Sequence, residues 1–378
     1  MLNIRDYKYS NRTTYGIDSI TTRYTWAGYF LFVIVSSLIG DTVILIASIK
    51  YKAFKLHKMI VVIIQHMAVC DLMVSITNIL PILVSVIADE WVFGNILCFL
   101  NCFAKYYFIS ASNFLICTLT TCKLLLLKYP LRISPFTTLK RSHMVCAACW
   151  FAALATPVTA FLVDWRDTFF SYRRYACDFG FSSDIWLWLQ PLLAVLVLFV
   201  PTCLVITTTA YLLVVAQRVV RRGRECLKKQ GLMAIILTAS VYCISILPEV
   251  VYRVGASIIR VEEESKSFFH THFYRVAFSF IALNNYSNFY IYILTVSSFR
   301  AFVWSRLQLS YKFMTYILNI APSTSHGEKS KLEIQHFDIL ERKLYEYLLI
   351  KTKHYTIIIQ LFARRKKDWC RSEQAKLW

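Results

Sequence analysis

Charged residues are scarce in this sequence, and acidic residues are the scarcer kind. Charged residues make up 17% of the 378 positions, with 22 Asp and Glu against 42 Lys and Arg. Hydrophobic residues reach 57% and aromatic residues 16%, which is far more apolar side chain than a soluble core uses. The composition therefore excludes a soluble protein and indicates a chain embedded in a membrane.

Several recognisable patterns are also missing. The sequence has no Gly-rich phosphate loop, no paired metal-binding histidines and no Gly-x-Ser-x-Gly turn, so we expect no enzymatic activity. Its halves show no matching inverted repeat, which argues against a transporter. No apolar core preceded by a basic run opens the chain, so the first membrane span is expected to direct insertion.

What the sequence does contain is a series of long apolar runs. Each is long enough to span a bilayer, and a span must be helical to satisfy its backbone within lipid. The sequence predicts an all-α membrane protein with seven helices, near residues 26–49, 59–87, 98–127, 144–163, 185–215, 231–252 and 272–298.

Much of the basic excess behind the formal charge of +20 lies in the loops between the apolar runs. Fifteen Lys and Arg residues occupy 50–58, 123–141 and 218–229, against six in the opposite connections. By the positive-inside rule the first set is cytoplasmic and the N-terminus is outside, so the charge requires no nucleic-acid partner. Asn11-Arg12-Thr13 is then an acceptor sequence for N-glycosylation at Asn11.

The run from 98 to 130 carries a specific spacing. Cys98 lies at its outer end, Ser112 halfway along, Lys123 twenty-five positions after the cysteine, and Pro130 seven positions further. This layout is similar to the third helix of rhodopsin-like (class A) G-protein-coupled receptors. The preceding Trp91-Val92-Phe93-Gly94 is similar to the family's Trp-x-Phe-Gly turn.

The other spans extend the resemblance over about residues 25–305. Matching positions are Asp71 in the second span, Trp150 and Pro157 in the fourth, Pro201 in the fifth, Pro248 in the sixth, and Asn288 and Tyr292 in the seventh. The resemblance implies an extracellular N-terminus at 1–24, a receptor domain at 25–298, a short amphipathic eighth helix at 299–309 that begins at Phe299-Arg300, and a cytoplasmic tail at 310–378. Within that tail, 355–367 has the composition of a segment that lies on an anionic leaflet.

Several family motifs are altered. Cys122, Lys123 and Leu124 replace Asp-Arg-Tyr, Ile246 replaces the tryptophan of Cys-Trp-x-Pro, and Phe289 replaces the proline of Asn-Pro-x-x-Tyr. The resemblance implies a plasma-membrane receptor that transmits ligand binding to a heterotrimeric G protein, with Lys123 and Tyr292 at the coupling surface. The altered motifs also fit an alternative, a seven-helix binding or trafficking protein without coupling.

The resemblance further implies a disulfide between Cys98 and Cys177 in the 164–184 loop. Cys102, one turn deeper on the same helix, is a competing partner.

A sodium-type site is implied at Asp71, Ser112, Asn284 and Asn288, and no other cofactor is expected. A carboxylate, a hydroxyl and amide oxygens suit a small hard cation; a protonated Asp71 held by hydrogen bonds is the alternative. Asp41 occupies the place of the family's first-helix asparagine. If the two carboxylates approach, they repel and one keeps its proton, which predicts a pH-sensitive pocket.

The ligand cavity is expected to hold seven residues, assigned by helical spacing: Lys105, Tyr106, Glu249, Arg253, Tyr274, Arg275 and Phe278. Lys105 stands where amine receptors have aspartate, which disfavours an amine, and Ala282 stands at the retinal-lysine position, which disfavours opsin chemistry. Basic and aromatic residues together favour a peptide or a small acidic ligand. An internal Lys105 to Glu249 pair that closes the cavity is the alternative.

Overall fold

The structure is a computed structural model. It describes residues 19–50, 57–129, 138–164, 168–171, 175–179, 192, 195–221, 228–258 and 268–320, with some side chains within these ranges outside the description. The predictions for Asn11 and for the segment 355–367 lie outside the described residues. The helical bundle belongs to the compact unit Met1–Leu307.

Seven helical stretches follow one another through the bundle, as the apolar runs predict. They are α1 Ile20–Lys50, α2 Lys58–Ala88, α3 Gly94–Lys128, α4 in two segments Leu139–Ala153 and Ala155–Asp164, α5 Val200–Arg221, α6 Lys228–Ile258 and α7 Phe268–Thr295. Helices α1, α3 and α6 extend beyond their apolar runs at both ends because the polar residues there continue the same hydrogen-bonding pattern.

Within the part of the chain that the structure describes, length and apolar composition support membrane crossing for five of the helices. These cover Ile20–Ile49, Lys58–Ala88, Gly94–Lys128, Leu139–Thr159 and Leu232–Val251. Many large apolar side chains on them face outward, such as Phe32, Ile39 and Phe151. Such a surface is stable in lipid and not in water.

Prolines in α2 and at the start of α5 coincide with single π-helical turns. Pro81 follows the π turn Ser75–Ile79 inside α2, and Pro201 follows the π turn Val195–Phe199. A proline has no N–H, so the carbonyl four residues earlier loses its helical donor.

Two asparagines of α3 supply the missing donors. The Asn101 Nδ2 atom donates to the carbonyl of Thr77, four residues before Pro81, at 2.7 Å. The Asn113 Nδ2 atom donates to the carbonyl of Val197, four residues before Pro201, at 3.3 Å. These bonds satisfy buried carbonyls that lipid could not, and they tie α3 to the irregular turns on both sides of it.

A short β-hairpin covers the outer end of α3. Strands β1 Thr168–Ser171 and β2 Ala176–Phe179 pair antiparallel, with Phe170 opposite Cys177. A disulfide joins Cys177 to Cys98 with the Cα atoms 5.4 Å apart, as the resemblance implied. Cys102, the competing partner, is buried one turn deeper and is not the cysteine that Cys177 bonds.

The turn that starts α3 depends on Gly94. Its φ angle is +75°, a left-handed conformation that glycine adopts without a side-chain clash. The Trp91 indole N–H donates to the Gly94 carbonyl at 2.8 Å, and its ring packs 6.0 Å from the ring of Phe170. The Trp-x-Phe-Gly turn therefore supports the hairpin beside the disulfide.

A polar latch ties the outer ends of α1 and α2. The Arg23 guanidinium donates to the carbonyls of Val86 and Ile87 at 3.0 and 2.6 Å and pairs with the Asp89 carboxylate at 3.5 Å. Asp89 ends α2 in a left-handed conformation with φ 59°, and the Tyr175 hydroxyl donates to it at 3.4 Å. The basic side chain thus caps the C-terminus of α2.

The helix after α7 is longer than predicted. It is α8, Ser297–Ile320, whereas the sequence predicted 299–309. Phe299 is fully buried, and the Arg300 Nη1 atom donates to the carbonyls of Ile293 and Leu294 at 3.1 and 3.2 Å. These contacts fix the start of α8 at the end of α7. Its placement along a membrane surface stays a prediction.

Candidate functional site

The described helices line a cavity of about 30 Å³ between α2, α3, α6 and α7. A water molecule needs roughly 10–15 Å³ measured this way, so the space holds about two water-sized groups. Its polar lining residues include Asn78, Lys105, Ser112, Asn113, Asn284 and Asn285. The cavity therefore runs from the level of the disulfide down to the middle of α3.

Lys105 forms the outer end of the cavity. Only 4% of this residue is exposed. Its ammonium group donates to the carbonyl of Cys177 at 2.9 Å and lies 5.0 Å from the centre of the Tyr106 ring. Because the disulfide fixes Cys177, it also fixes the carbonyl that positions this buried charge.

The other predicted ligand residues divide into three groups. Phe278 lines the cavity with Lys105. Tyr106 packs against the disulfide cluster, and Glu249 is buried with 3% exposure; neither lines the cavity. The side chains of Arg253, Tyr274 and Arg275 lie outside the described residues.

The four residues predicted to hold a cation form two hydrogen-bonded pairs. The Asn284 Nδ2 atom donates to the Ser112 hydroxyl at 3.4 Å, and both residues line the cavity. The Asn288 Nδ2 atom donates to Asp71 Oδ2 at 3.0 Å, and this pair lies outside the cavity lining. The structure brings α2, α3 and α7 together as the resemblance implies.

Asp41 lies in the same buried region and interacts electrostatically with Asp71. The Ser37 hydroxyl donates to Asp41 Oδ2 at 2.6 Å, and the Ser75 hydroxyl donates to Ser37 at 2.9 Å. Asp41 Oδ1, Asp71 Oδ1 and Asn288 Oδ1 are buried without a hydrogen-bond partner. Unpaired buried oxygens of this kind fit a small cation or a bound proton.

Gly40 precedes Asp41 and sets the distance between α1 and α7. A Cβ atom at this position would lie 2.7 Å from the Phe289 Cβ atom and 2.9 Å from its Cγ atom. Phe289 is the residue that replaces the family's proline. Glycine is thus required for α1 to reach the part of α7 that carries Asn288.

The predicted coupling residues lie toward the opposite end of the bundle. Tyr292 is buried, with its ring 6.2 Å from that of Phe299. His57 caps the start of α2. Partial burial lowers the pKa of His57 from 6.5, and the positive charges of Lys123 and Lys58 lower it further. Lys123 therefore faces the start of α2.

Two features of this site escaped sequence reasoning. Asn78 and Asn285 contribute to the cavity lining. Asn113 donates to the Val197 carbonyl and accepts at Oδ1 from the Tyr242 hydroxyl at 3.1 Å, so it bridges the two groups. The available signal was the presence of asparagines inside apolar spans, where polar side chains face the bundle interior.

Comparison with known proteins agrees with this architecture. Residues 40–292 match the family model described as 7 transmembrane receptor (rhodopsin family). The chain is also 25% identical, over 135 residues, to 5-hydroxytryptamine receptor 2 of Aplysia californica. That match covers 36% of this chain and 32% of the relative, so the chain matches about a third of that receptor's length.

The family model covers well over half of the chain, and its members have the seven-helix arrangement described above. The chain is a multi-pass membrane protein that belongs to the rhodopsin family of seven-transmembrane receptors.

Proposed function

We propose that this chain is a plasma-membrane receptor that binds an extracellular ligand with an acidic group and transmits binding to a heterotrimeric G protein. Family membership supports the receptor class. The observation that carries the ligand class is Lys105, a lysine with 4% exposure at the end of the cavity. The ligand is a peptide or a small acidic molecule.

A ligand carboxylate would add a full negative charge beside the buried ammonium. The carbonyl of Cys177 and the Tyr106 ring both contact this ammonium. A charge-assisted hydrogen bond to a carboxylate is roughly twice as strong as a neutral one. A ligand carboxylate at this end of the cavity therefore gains more binding free energy than a neutral group would.

The same geometry opposes an amine ligand. The Aplysia relative is named as a 5-hydroxytryptamine receptor, and amine receptors of the family have an aspartate where this chain has Lys105. A protonated amine about 4 Å from the lysine ammonium would be repelled by about 4 kcal/mol at an effective dielectric constant of 20. We therefore infer from that relative that this chain is a receptor, and we do not infer that it binds the same ligand.

An allosteric cation site is part of this proposal. Asp71, Ser112, Asn284 and Asn288 would hold a sodium ion, with Asp41 as a further carboxylate. The unpaired buried oxygens of Asp41, Asp71 and Asn288 support this assignment. The ion would add positive charge between α1, α2 and α7 and so stabilise one arrangement of these helices.

Coupling is assigned to the end that contains Lys123 and Tyr292. Lys123 has a compact ammonium in place of the family's planar guanidinium, and Cys122 is not an acidic residue that could hold it. We expect weaker restraint of the resting state than an Asp-Arg pair would give.

The test is G-protein nucleotide exchange by the surface-displayed full chain, against a library of peptides and small acids. Lys105→Met is expected to lose roughly tenfold to a hundredfold in potency, the value of a hydrogen bond to a charged group. Lys105→Arg, which keeps the charge, is the matched control. Exchange that Lys105→Met leaves unchanged contradicts the ligand assignment.

A variant with Cys122→Asp and Lys123→Arg tests separately whether the chain couples to a G protein. Exchange above background by wild type establishes coupling with Lys123 in place. A wild type that binds ligand but is silent, beside an active variant, would instead identify a seven-helix binding protein without coupling.

A further inference from the structure

Two histidines on neighbouring helices form a hydrogen-bonded pair away from the cavity. His66 lies on α2 and His143 on α4, with 3.2 Å between His66 Nε2 and His143 Nδ1. The indole N–H of Trp150, also on α4, donates to His66 Nδ1 at 3.1 Å. The three side chains therefore form a chain of two hydrogen bonds that joins α2 to α4.

The indole at one end of this chain fixes the protons of the two rings. An indole N–H can only donate, so His66 Nδ1 must carry a lone pair and the His66 proton must lie on Nε2. His66 Nε2 then donates to His143 Nδ1, which must carry a lone pair as well. Both rings are thus neutral, and each has its proton on Nε2.

Packing holds the indole in this position. The Trp150 ring lies 5.6 Å from the ring of Tyr107 and 6.0 Å from that of Phe108, both on α3. The rings of His66 and His143 meet edge to face, with their centres 5.4 Å apart. Rotation of the indole away from His66 would therefore break its contacts with α3.

An added proton cannot be placed on either ring without the loss of a hydrogen bond. A proton on His66 Nδ1 would face the indole N–H, so the bond from Trp150 would be lost. A proton on His143 Nδ1 would face the His66 N–H, so the bond between the two rings would be lost. Each position costs one bond because a protonated histidine has two donors and no acceptor.

The charges on the surrounding helices do not favour an added proton. Titratable residues on these helices include Lys58 and Cys70 on α2, Lys140, Arg141 and Cys146 on α4, and Tyr107 on α3. The charged residues among them are basic. Asp71 follows His66 by five residues, which turns it about 140° away, and it accepts a bond from Asn288 instead.

His143 lies where protons can reach it. It is an exposed residue five positions after Thr138, which caps the start of α4, so it lies about 7 Å into the helix. The headgroup region on each side of a bilayer is about 5–7 Å thick. His143 is therefore near the boundary between headgroups and hydrocarbon, within reach of water.

We propose that Trp150, His66 and His143 form a proton-sensitive link between α2 and α4. At neutral pH both hydrogen bonds hold the helices together, and on acidification one of them opens. An added proton costs the folded protein a hydrogen bond that the unfolded chain does not lose. Stability should therefore fall as pH drops below about 6.5, where free histidine takes up a proton.

Histidine NMR of the purified full-length chain tests the arrangement of protons. The imidazole nitrogens are labelled with ¹⁵N and observed near pH 8, well above the ordinary histidine pKa of about 6.5. The signals of His66 and His143, assigned by substitution of each residue, are expected to be those of the Nε2–H tautomer. A ring with its proton on Nδ1 at either position overturns the proposal.

Thermal unfolding between about pH 8 and pH 5.5, on either side of the histidine pKa, tests the sensitivity to protons. His143→Asn places an amide oxygen near the position of Nδ1, so it keeps an acceptor for His66 and cannot take up a proton. Its Tm should equal that of wild type near pH 8 and should fall less on acidification. The expected difference is that of one net hydrogen bond, roughly fivefold in the unfolding equilibrium constant. His57 is present in both proteins, so its own response to pH cancels.

Trp150→Phe removes the indole donor and keeps an aromatic ring beside Tyr107. Without that donor, His66 can take up a proton at Nδ1 and still donate from Nε2 to His143, so no bond is lost. Trp150→Phe should therefore unfold earlier than wild type near pH 8 and yet lose less Tm on acidification.

Two outcomes of the unfolding series overturn the proposal. One is a wild type and a His143→Asn protein whose Tm values fall in parallel as pH decreases. The other is a folded Trp150→Phe protein that loses as much Tm on acidification as wild type does. If Trp150→Phe does not fold, His143→Asn and the NMR signals decide the question by themselves. The series uses neither ligand nor G protein, so its result is independent of the proposed function.

Discussion

Gly40 lies at a close contact between α1 and α7, and Gly40→Ala tests that contact directly. The new Cβ atom would lie 2.7 Å from Phe289 Cβ, whereas ordinary contact begins near 3.4 Å. The two atoms must therefore separate by 3.4 − 2.7 = 0.7 Å. Since the Phe289 Cβ atom is attached to the backbone, a side-chain rotation cannot provide this movement.

The expected cost is that of overpacking a close-packed interior, about 1–3 kcal/mol. For a chain of this size that corresponds to a fall in Tm of roughly several degrees. The measurement is thermal unfolding of the purified protein in detergent. A shift of α1 also moves Asp41 relative to Asn288, so any stabilisation by sodium should decrease together with Tm.

Gly28→Ala is the matched control on the same helix. No atom lies within 4 Å of a Cβ at Gly28, and alanine is the better helix former, by about 1 kcal/mol. Its Tm should be unchanged or higher. If Gly40→Ala unfolds no earlier than Gly28→Ala, α1 and α7 do not approach as closely as described.

Three further predictions concern charged groups. Lys123→Met should raise the pKa of His57 toward 6.5, because it removes a positive charge that lowers this pKa. Histidine NMR titration measures the pKa, and an unchanged value contradicts the placement of Lys123 near His57. Since the folded protein disfavours protonated His57, its stability should fall as pH drops below 6.5, and less so in Lys123→Met. Arg23→Met should lower Tm by removing two carbonyl contacts and the ion pair with Asp89, a loss of about 1–3 kcal/mol, and equal Tm values would refute the latch. Asp41→Asn should make sodium-dependent stabilisation less sensitive to pH, because one of two interacting carboxylates is gone; superimposable sodium and pH curves for the two proteins would rule out a shared site.

The positions of the helices could be predicted from the sequence. A run of apolar residues long enough to span lipid has one backbone solution, because every N–H and C=O group within it must be paired. The Cys98 to Cys177 bridge followed from the resemblance, as did the pairs that Asp71 and Ser112 make with α7.

The contacts between helices depend on tertiary packing and could not be predicted from the sequence. Asn101 and Asn113 act on carbonyls exposed by prolines of other helices, so their role depends on which helices are neighbours. Arg23 meets Val86 across 63 positions of sequence, and no local pattern reports such a contact. The π turn before Pro81 likewise changes which side chains of α2 face inward.

By itself the sequence determined a membrane protein of seven helices with a receptor's motif positions, because apolar length and motif spacing are local properties. Only the tertiary structure decided that the cavity joins Lys105 to Ser112, and that Asn78 and Asn285 each bring an unpaired polar atom to it. Those facts depend on distances between helices far apart in sequence, which side-chain packing sets.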